Sequence, residues 1–306
     1  VVSLQDAKVP LKVEIIGWSP FAPPDADASS LPMVGVEYRF SNTSKEKIEA
    51  VFSFNAANFM AVRGHEPRID RITGGFVLGQ PLGGTLKKQD EGYLAAFVDE
   101  PDAKVNAAWF RGGWFDPLTI VWKDIEQGNC YDRDFPTEGS ASSGATLFVP
   151  FELAPGETRT IALKLCWYVP NSDVRQGDET SPEGERQMYQ PWYAGRFDSI
   201  GAVVAEWRGS YERLRAESKK FSECFYDTTL PAEVVEAVAA NLTILKSPTV
   251  LRQTDGRFWA FEGCHDGAGC CHGSCTHVWN YAQAMPNLFP SLERTLRETE
   301  FGVCQD

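Results

Sequence analysis

Apolar and polar residues alternate along the first half of the chain. Val9, Leu11, Val13 and Ile15 form one such run, Val34, Val36, Tyr38 and Phe40 a second, and Ile48, Ala50, Phe52 and Phe54 a third. A period of two puts every second side chain on one face of a strand, so each run predicts a strand with one face on a core. Between the second and third runs, Ser41-Asn42-Thr43-Ser44-Lys45 reads as a turn. Further on, 146–153 and 158–168 are strand-like and flank Ala154-Pro155-Gly156-Glu157, a hairpin signal. Many short strands with Gly/Pro turns and no intervening helix predict an antiparallel β-sandwich for this half.

The period then changes. Residues 171–197 are polar and rich in Gly, Pro and Ser, and read as a long loop. Beyond 198, Ile200, Val203, Trp207, Tyr211, Leu214, Phe221 and Phe225 recur at three- and four-residue steps, the apolar face of a long helix. A second helix opens near Pro231, shows Val235, Val238, Leu242 and Leu245 on one face, and ends at Pro248. A third is expected over 276–285 and a fourth over 290–301, where Glu293 and Arg297 stand four apart. The expected organisation is a sandwich domain with its terminal loop (1–197), a linker helix (198–230) and helical hairpins (231–306). The chain, which lacks a start Met, reads as cut from a longer protein.

Composition narrows the partners. The net charge of −13 and the lack of any Lys/Arg run argue against nucleic acid. No apolar run approaches the ~20 residues of a membrane span. Neither a P-loop nor a dinucleotide-type glycine pattern occurs, and no cofactor is called for. Asn42-Thr43-Ser44 fits the glycosylation pattern. Aromatics are plentiful, with 9 Trp, 9 Tyr and 19 Phe; most serve cores, and some suit flat ligands such as sugars.

Candidate chemistry concentrates between Asp255 and Tyr281. This stretch holds three of the four His, four of the eight Cys, the carboxylates Asp255, Glu262 and Asp266, and five Gly. Glycines let backbone approach a ligand, and a polar, aromatic loop on a helical scaffold is where sites tend to lie. Cys264, Cys270, Cys271 and Cys275 are spaced Cys-x5-Cys-Cys-x3-Cys, unlike the paired Cys-x2-Cys of common zinc sites. Packed, reduced thiols are the leading expectation for them; a disulfide and a metal-dependent enzyme built on the Cys/His cluster are the alternatives. Glycosidic hydrolysis needs two carboxyl groups. Glu262 and Asp266 are the local candidates, against loop capping or ion pairing with Arg257 or Arg252. His277 and Trp279 are candidates for a sugar hydroxyl and a sugar face, against simple helix-end packing. Trp114 and Asp116, in Gly112-Gly113-Trp114-Phe115-Asp116-Pro117, sit on a turn that is a further candidate sugar contact, or an ordinary sandwich turn.

Several short segments carry a resemblance in order along the chain. Gly17-Trp18-Ser19-Pro20-Phe21, Ser29-Ser30-Leu31-Pro32-Met33, Glu37-Tyr38, Phe151-Glu152-Leu153-Ala154-Pro155-Gly156-Glu157-Thr158 and Trp167-Tyr168-Val169-Pro170 resemble the N-terminal domain of glycoside hydrolase family 116. From Gly256-Arg257-Phe258 to Arg294 the chain resembles the opening of that family's catalytic domain. The resemblance implies a sandwich followed by an (α/α)6 barrel, and retaining hydrolysis of β-glucosides, of bacterial β-glucosidase or non-lysosomal glucosylceramidase type, by a Glu nucleophile and an Asp acid/base. It implies an acid/base beyond Asp306, and a sugar-contacting role for His277. It also exposes a departure: in Asn241-Leu242, Leu242 stands where the family's nucleophilic Glu is expected. A carbohydrate-binding protein without catalysis is therefore the second reading.

Overall fold

The computed structural model describes residues 1–173, 188–265, 268–269, 273, 275 and 278–302. The chain forms two compact units. One is Val1–Trp18 with Met33–Tyr168; the other is Ser19–Pro32, carrying the one-turn helix α1 (Ala26–Ser29), with Val169–Asp306.

The first unit is two antiparallel sheets. Strands β1 (Val2–Gln5), β2 (Leu11–Trp18), β3 (Met33–Asn42), β4 (Ile48–Ala57), β5 (Arg68–Ile72), β6 (Gly75–Gln80), β7 (Gly92–Phe97), β8 (Lys104–Asn106), β9 (Gly144–Leu153) and β10 (Thr158–Tyr168) compose it. One sheet runs β1-β2-β3-β10-β7-β6-β5, the other β4-β9-β8. Alternation sets the facing. Tyr38 lies opposite Ile161 and Val36 opposite Leu163 in the larger sheet; Phe52 lies opposite Val149 and Ala50 opposite Phe151 in the smaller. All eight join one hydrophobic core, as expected for two sheets packed through their apolar faces.

Two features differ from the sequence expectation. The segment 154–157 is not a hairpin: β9 pairs with β4 and β8, whereas β10 pairs with β3 and β7. The turn carries the chain from one sheet to the other, as does the turn from β3 to β4. Buried Asn42 ties the two crossings, its Nδ2 donating to Glu46 O at 2.8 Å and to Leu153 O and Ala154 O at 3.1 Å. Being 3% exposed, Asn42 is no glycan acceptor in the folded chain. Second, the sandwich does contain a helix, α2 (Pro117–Glu126), between β8 and β9. Pro117 fits its first turn and Asp116 caps it.

The second unit is helical around a small hairpin. Helix α3 (Ile200–Tyr226) starts at the Ser199 cap and buries Val203, Trp207, Tyr211 and Leu214 of the anticipated stripe. Helix α4 (Ala232–Leu242) opens at Pro231 and gives way to a 3-10 turn, Thr243–Lys246, three residues short of the apolar pattern's end. Strands β11 (Val250–Arg252) and β12 (Phe258–Ala260) pair antiparallel. Two-residue strands β13 (Cys264–His265) and β14 (Ala268–Gly269) follow, then α5 (Trp279–Leu288) and α6 (Pro290–Gly302). Phe258, Ala260, Tyr281, Met285, Phe289, Leu292 and Leu296 share a core with Ala26 of α1. The excursion Ser19–Pro32 is thus a peg in this unit. Phe21 meets Phe221 and Phe289 edge to face at 5.1 and 5.5 Å, and its backbone N–H donates to Ser218 Oγ. Among the described residues, no helix is long and apolar enough to cross a membrane.

Candidate functional site

Glu262 lies two residues past the end of β12, and its surroundings are built more firmly than its exposed position suggests. Phe261 is fully buried. Its N–H donates to Thr249 O at 2.8 Å and its carbonyl accepts the Tyr281 hydroxyl at 2.7 Å. One residue earlier, Ala260 N–H donates to Gly273 O, and Cys275 N–H donates to Ala260 O. The backbone leading to Glu262 is therefore hydrogen-bonded on both edges, while the Glu262 side chain lies at the surface. Gly273 is required for this closure. Its φ is +78°, and a Cβ there would lie 2.7 Å from Phe261 Cε1, so any side chain would force the loop off the strand.

The neighbouring cations are engaged. Arg257 pairs with Asp255 at 3.2 Å. Arg252 pairs with Asp27 at 2.7 Å, donates to Ser30 Oγ and lies 4.2 Å over the Trp192 ring. This last group escaped the sequence reading; its members are far apart in the chain and carry no local signal.

Of the remaining candidates, Asp266 and His277 lie outside the described residues. Trp279 opens α5. Cys275 is disulfide-bonded, which corrects the expectation of reduced, packed thiols: the residue is buried, but oxidised. Among the described residues, no group of three or more His, Cys, Asp or Glu stands together as a metal site. Leu242 lies at the end of α4 and lines a groove of about 530 Å³ with Phe225, Asn241, Gln283 and Asn287. Among the described residues, the groove's polar lining consists of amides, with no carboxylate. Asn241 itself donates to Ala237 O in its own helix.

Trp114 and Asp116 belong to the first unit. Trp114 is 82% exposed and braced edge-on by Phe110 at 5.2 Å. Asp116 accepts from Leu118 N, Thr119 N and the Thr119 hydroxyl. The hydroxyl, then the backbone N–H groups, hold its carboxyl below the usual carboxylate range. Its place in the fold is that of a helix cap.

The chain thus combines a two-sheet antiparallel sandwich with a helical unit. The family model described as "beta-glucosidase 2, glycosyl-hydrolase family 116 N-term" matches residues 1–214, and the chain belongs to that family. A search of curated proteins finds no match. Among solved structures, "Putative kojibiose phosphorylase from human microbiome" is similar over 71% of this chain at 10% identity and a TM-score of 0.34, and the chain spans 21% of that structure's length.

Proposed function

We propose that this chain is part of a retaining glycoside hydrolase acting on β-glucosides or related β-glycosides, of the glucosylceramidase type. The family match across the sandwich carries the reading. In the proposed division, 1–197 is the sandwich domain with its loop, 198–230 a linker helix and 231–306 the opening of an (α/α)6 catalytic barrel.

Retaining hydrolysis needs one carboxylate to attack the anomeric carbon and one carboxylic acid to protonate the departing oxygen. Glu262 is the proposed catalytic carboxylate and Asp266 the second candidate; His277 and Trp279 line the sugar subsite, with Trp114 and Asp116 as further substrate contacts. Support for Glu262 lies in its mounting. A reacting group must be held within a fraction of an ångström of its productive geometry, and the bonds from Thr249, Tyr281 and Gly273 brace the backbone beside it.

Leu242 favours a second reading. An apolar side chain among amides, where the family's nucleophile is expected, leaves that position without the group that attacks, so a sugar-binding protein without turnover also fits. Assay of the intact protein on aryl β-glucoside, β-glucosaminide and β-xyloside, beside Glu262→Gln, decides between them. Cleavage that Glu262→Gln abolishes in a folded protein is the expected outcome. Full activity in that variant rejects Glu262, and binding without cleavage rejects the hydrolase.

A further inference from the structure

We propose that the hairpin β11–β12 binds a sugar hydroxyl through the side-chain amide of Gln253 and the indole N–H of Trp259. The register of the hairpin puts these two side chains on one face. Leu251 lies opposite Trp259. Gln253 N–H donates to Arg257 O at 2.9 Å, which extends the pairing toward the turn. Paired and alternate residues of a hairpin share a face. Leu251, Gln253, Arg257 and Trp259 therefore stand on one side, while Phe258 and Ala260 on the other join the core with Tyr281, Met285 and Leu296.

Gln253 and Trp259 are each 1% exposed. Among the described residues, neither Nε2 nor Oε1 of Gln253 has a hydrogen-bond partner, and Trp259 Nε1 has none. Buried polar groups are normally bonded, and each one that is not destabilises the fold. The backbone beside them shows no such looseness. Gln253 O accepts from Gly256 N–H, and Thr254 N–H donates to Gln190 O. Gln253 also bridges to Pro191. A fixed backbone thus carries two buried side chains whose polar atoms point at no protein partner, an arrangement that an occupant would complete.

The chemistry of the three atoms selects that occupant. Gln253 Nε2 and Trp259 Nε1 donate, and Gln253 Oε1 accepts. A carboxylate or phosphate would leave Oε1 without a donor. An ammonium would leave both N–H groups without an acceptor. A hydroxyl donates and accepts. The one cation on this face, Arg257, is paired with Asp255 at 3.2 Å, which further disfavours an anion. Each of the three atoms has less than 1 Å² of surface, so a bond made there is shielded from bulk water and strengthened. Water offers the same chemistry as a sugar hydroxyl, and experiment separates them. The choice of a sugar rests on the glycosidase reading above.

The test is calorimetric titration of the intact protein with glucose and its monodeoxy derivatives, beside denaturation midpoints. Gln253→Met keeps the length of the side chain and removes the amide. It should raise the midpoint by about 2–4 °C, the gain from one relieved polar group in a domain of this size, and weaken glucose about tenfold. Trp259→Phe should weaken glucose to a similar extent. One monodeoxyglucose should bind the parent about tenfold less tightly than glucose, yet bind Gln253→Met as glucose does, because the lost hydroxyl and the lost amide are partners. A lower midpoint in Gln253→Met overturns the proposal, since it means that ordered water already satisfies the amide. So does a glucose affinity that neither substitution changes, or a parent that binds no glucose. If the protein cleaves β-glucosides and Gln253→Met binds glucose unchanged, the hydrolase stands and this site falls. If glucose binding depends on Gln253 in a protein that cleaves no β-glycoside, the site stands and the hydrolase falls.

Discussion

Tyr281 donates its hydroxyl to the carbonyl of Phe261 at 2.7 Å, one residue before Glu262, and its oxygen lies 2.9 Å from Thr249 Oγ1. Tyr281 is fully buried. A residue on α5 therefore positions the backbone that carries the candidate carboxylate. Tyr281→Phe keeps the ring and leaves the Phe261 carbonyl without this donor, a loss of about 1–3 kcal/mol. The expected outcome is a lower denaturation midpoint together with a fall in kcat larger than any change in KM, measured on the intact protein. A variant as active as the parent despite the lost stability would remove Tyr281 from the site.

The peg makes the second unit depend on a segment that leaves the sandwich. Phe21 is only half-buried, so Phe21→Ala should cost about 2 kcal/mol, less than the ~3–5 kcal/mol of a fully buried Phe. Two edge-on ring contacts are lost with it. Thermal denaturation followed by near-ultraviolet circular dichroism checks this; an unchanged midpoint would show that the peg does not support the helices.

Much of the sandwich was legible because one face of each strand is dry. Val36, Tyr38 and Phe40, and Ala50, Phe52 and Phe54, were singled out by their period and do face the core. Pairing was not legible. The turn at 154–157 has hairpin composition, yet the strands on either side bond in different sheets, because a four-residue turn does not specify which edge each strand finds. Helix α2 escaped although Leu118, Val121, Trp122 and Ile125 follow a helical i, i+3, i+4, i+7 spacing, because it is a single short helix inserted between strands. The peg escaped for another reason: Ser30 and Arg252 are 222 residues apart. The candidate loop stood out by its Gly, Cys and His density, whereas Thr249 and Tyr281, which brace it, look like ordinary residues of a turn and a helix.

Lys246 gives a pH signature. The residue keeps solvent along its stem, but its ammonium turns inward to donate to Ser29 O at 2.7 Å. Burial lowers its pKa to about 8. An unfolded lysine holds its proton to about 10.4, so between about 8 and 10.4 the unfolded chain binds more protons than the folded one. Stability contributed at this site therefore rises with pH through that window, and the cost is full below it. Lys246→Met should lose the rise. Denaturation midpoints of parent and variant, taken from pH 7 to 10.5, should diverge in the parent's favour as pH increases; a constant difference would show an ordinary surface lysine.

The disulfide at Cys275 predicts sensitivity to reductant. A cross-link lowers the entropy of the unfolded chain, and its removal typically costs about 2–4 kcal/mol. The effect should be local in origin: Cys275 N–H bonds to Ala260 O, and Gly273 O accepts from Ala260 N–H, so the cross-linked segment is also the one that pairs with β12. Dithiothreitol or Cys275→Ser should therefore lower the midpoint and increase hydrogen exchange at Ala260 and Phe261, while the amides of β3 and β10 in the sandwich core stay protected. Equal loss of protection in both regions would mean that the cross-link supports the whole chain rather than the seat of Glu262; no change in either would mean that the segment holds without it.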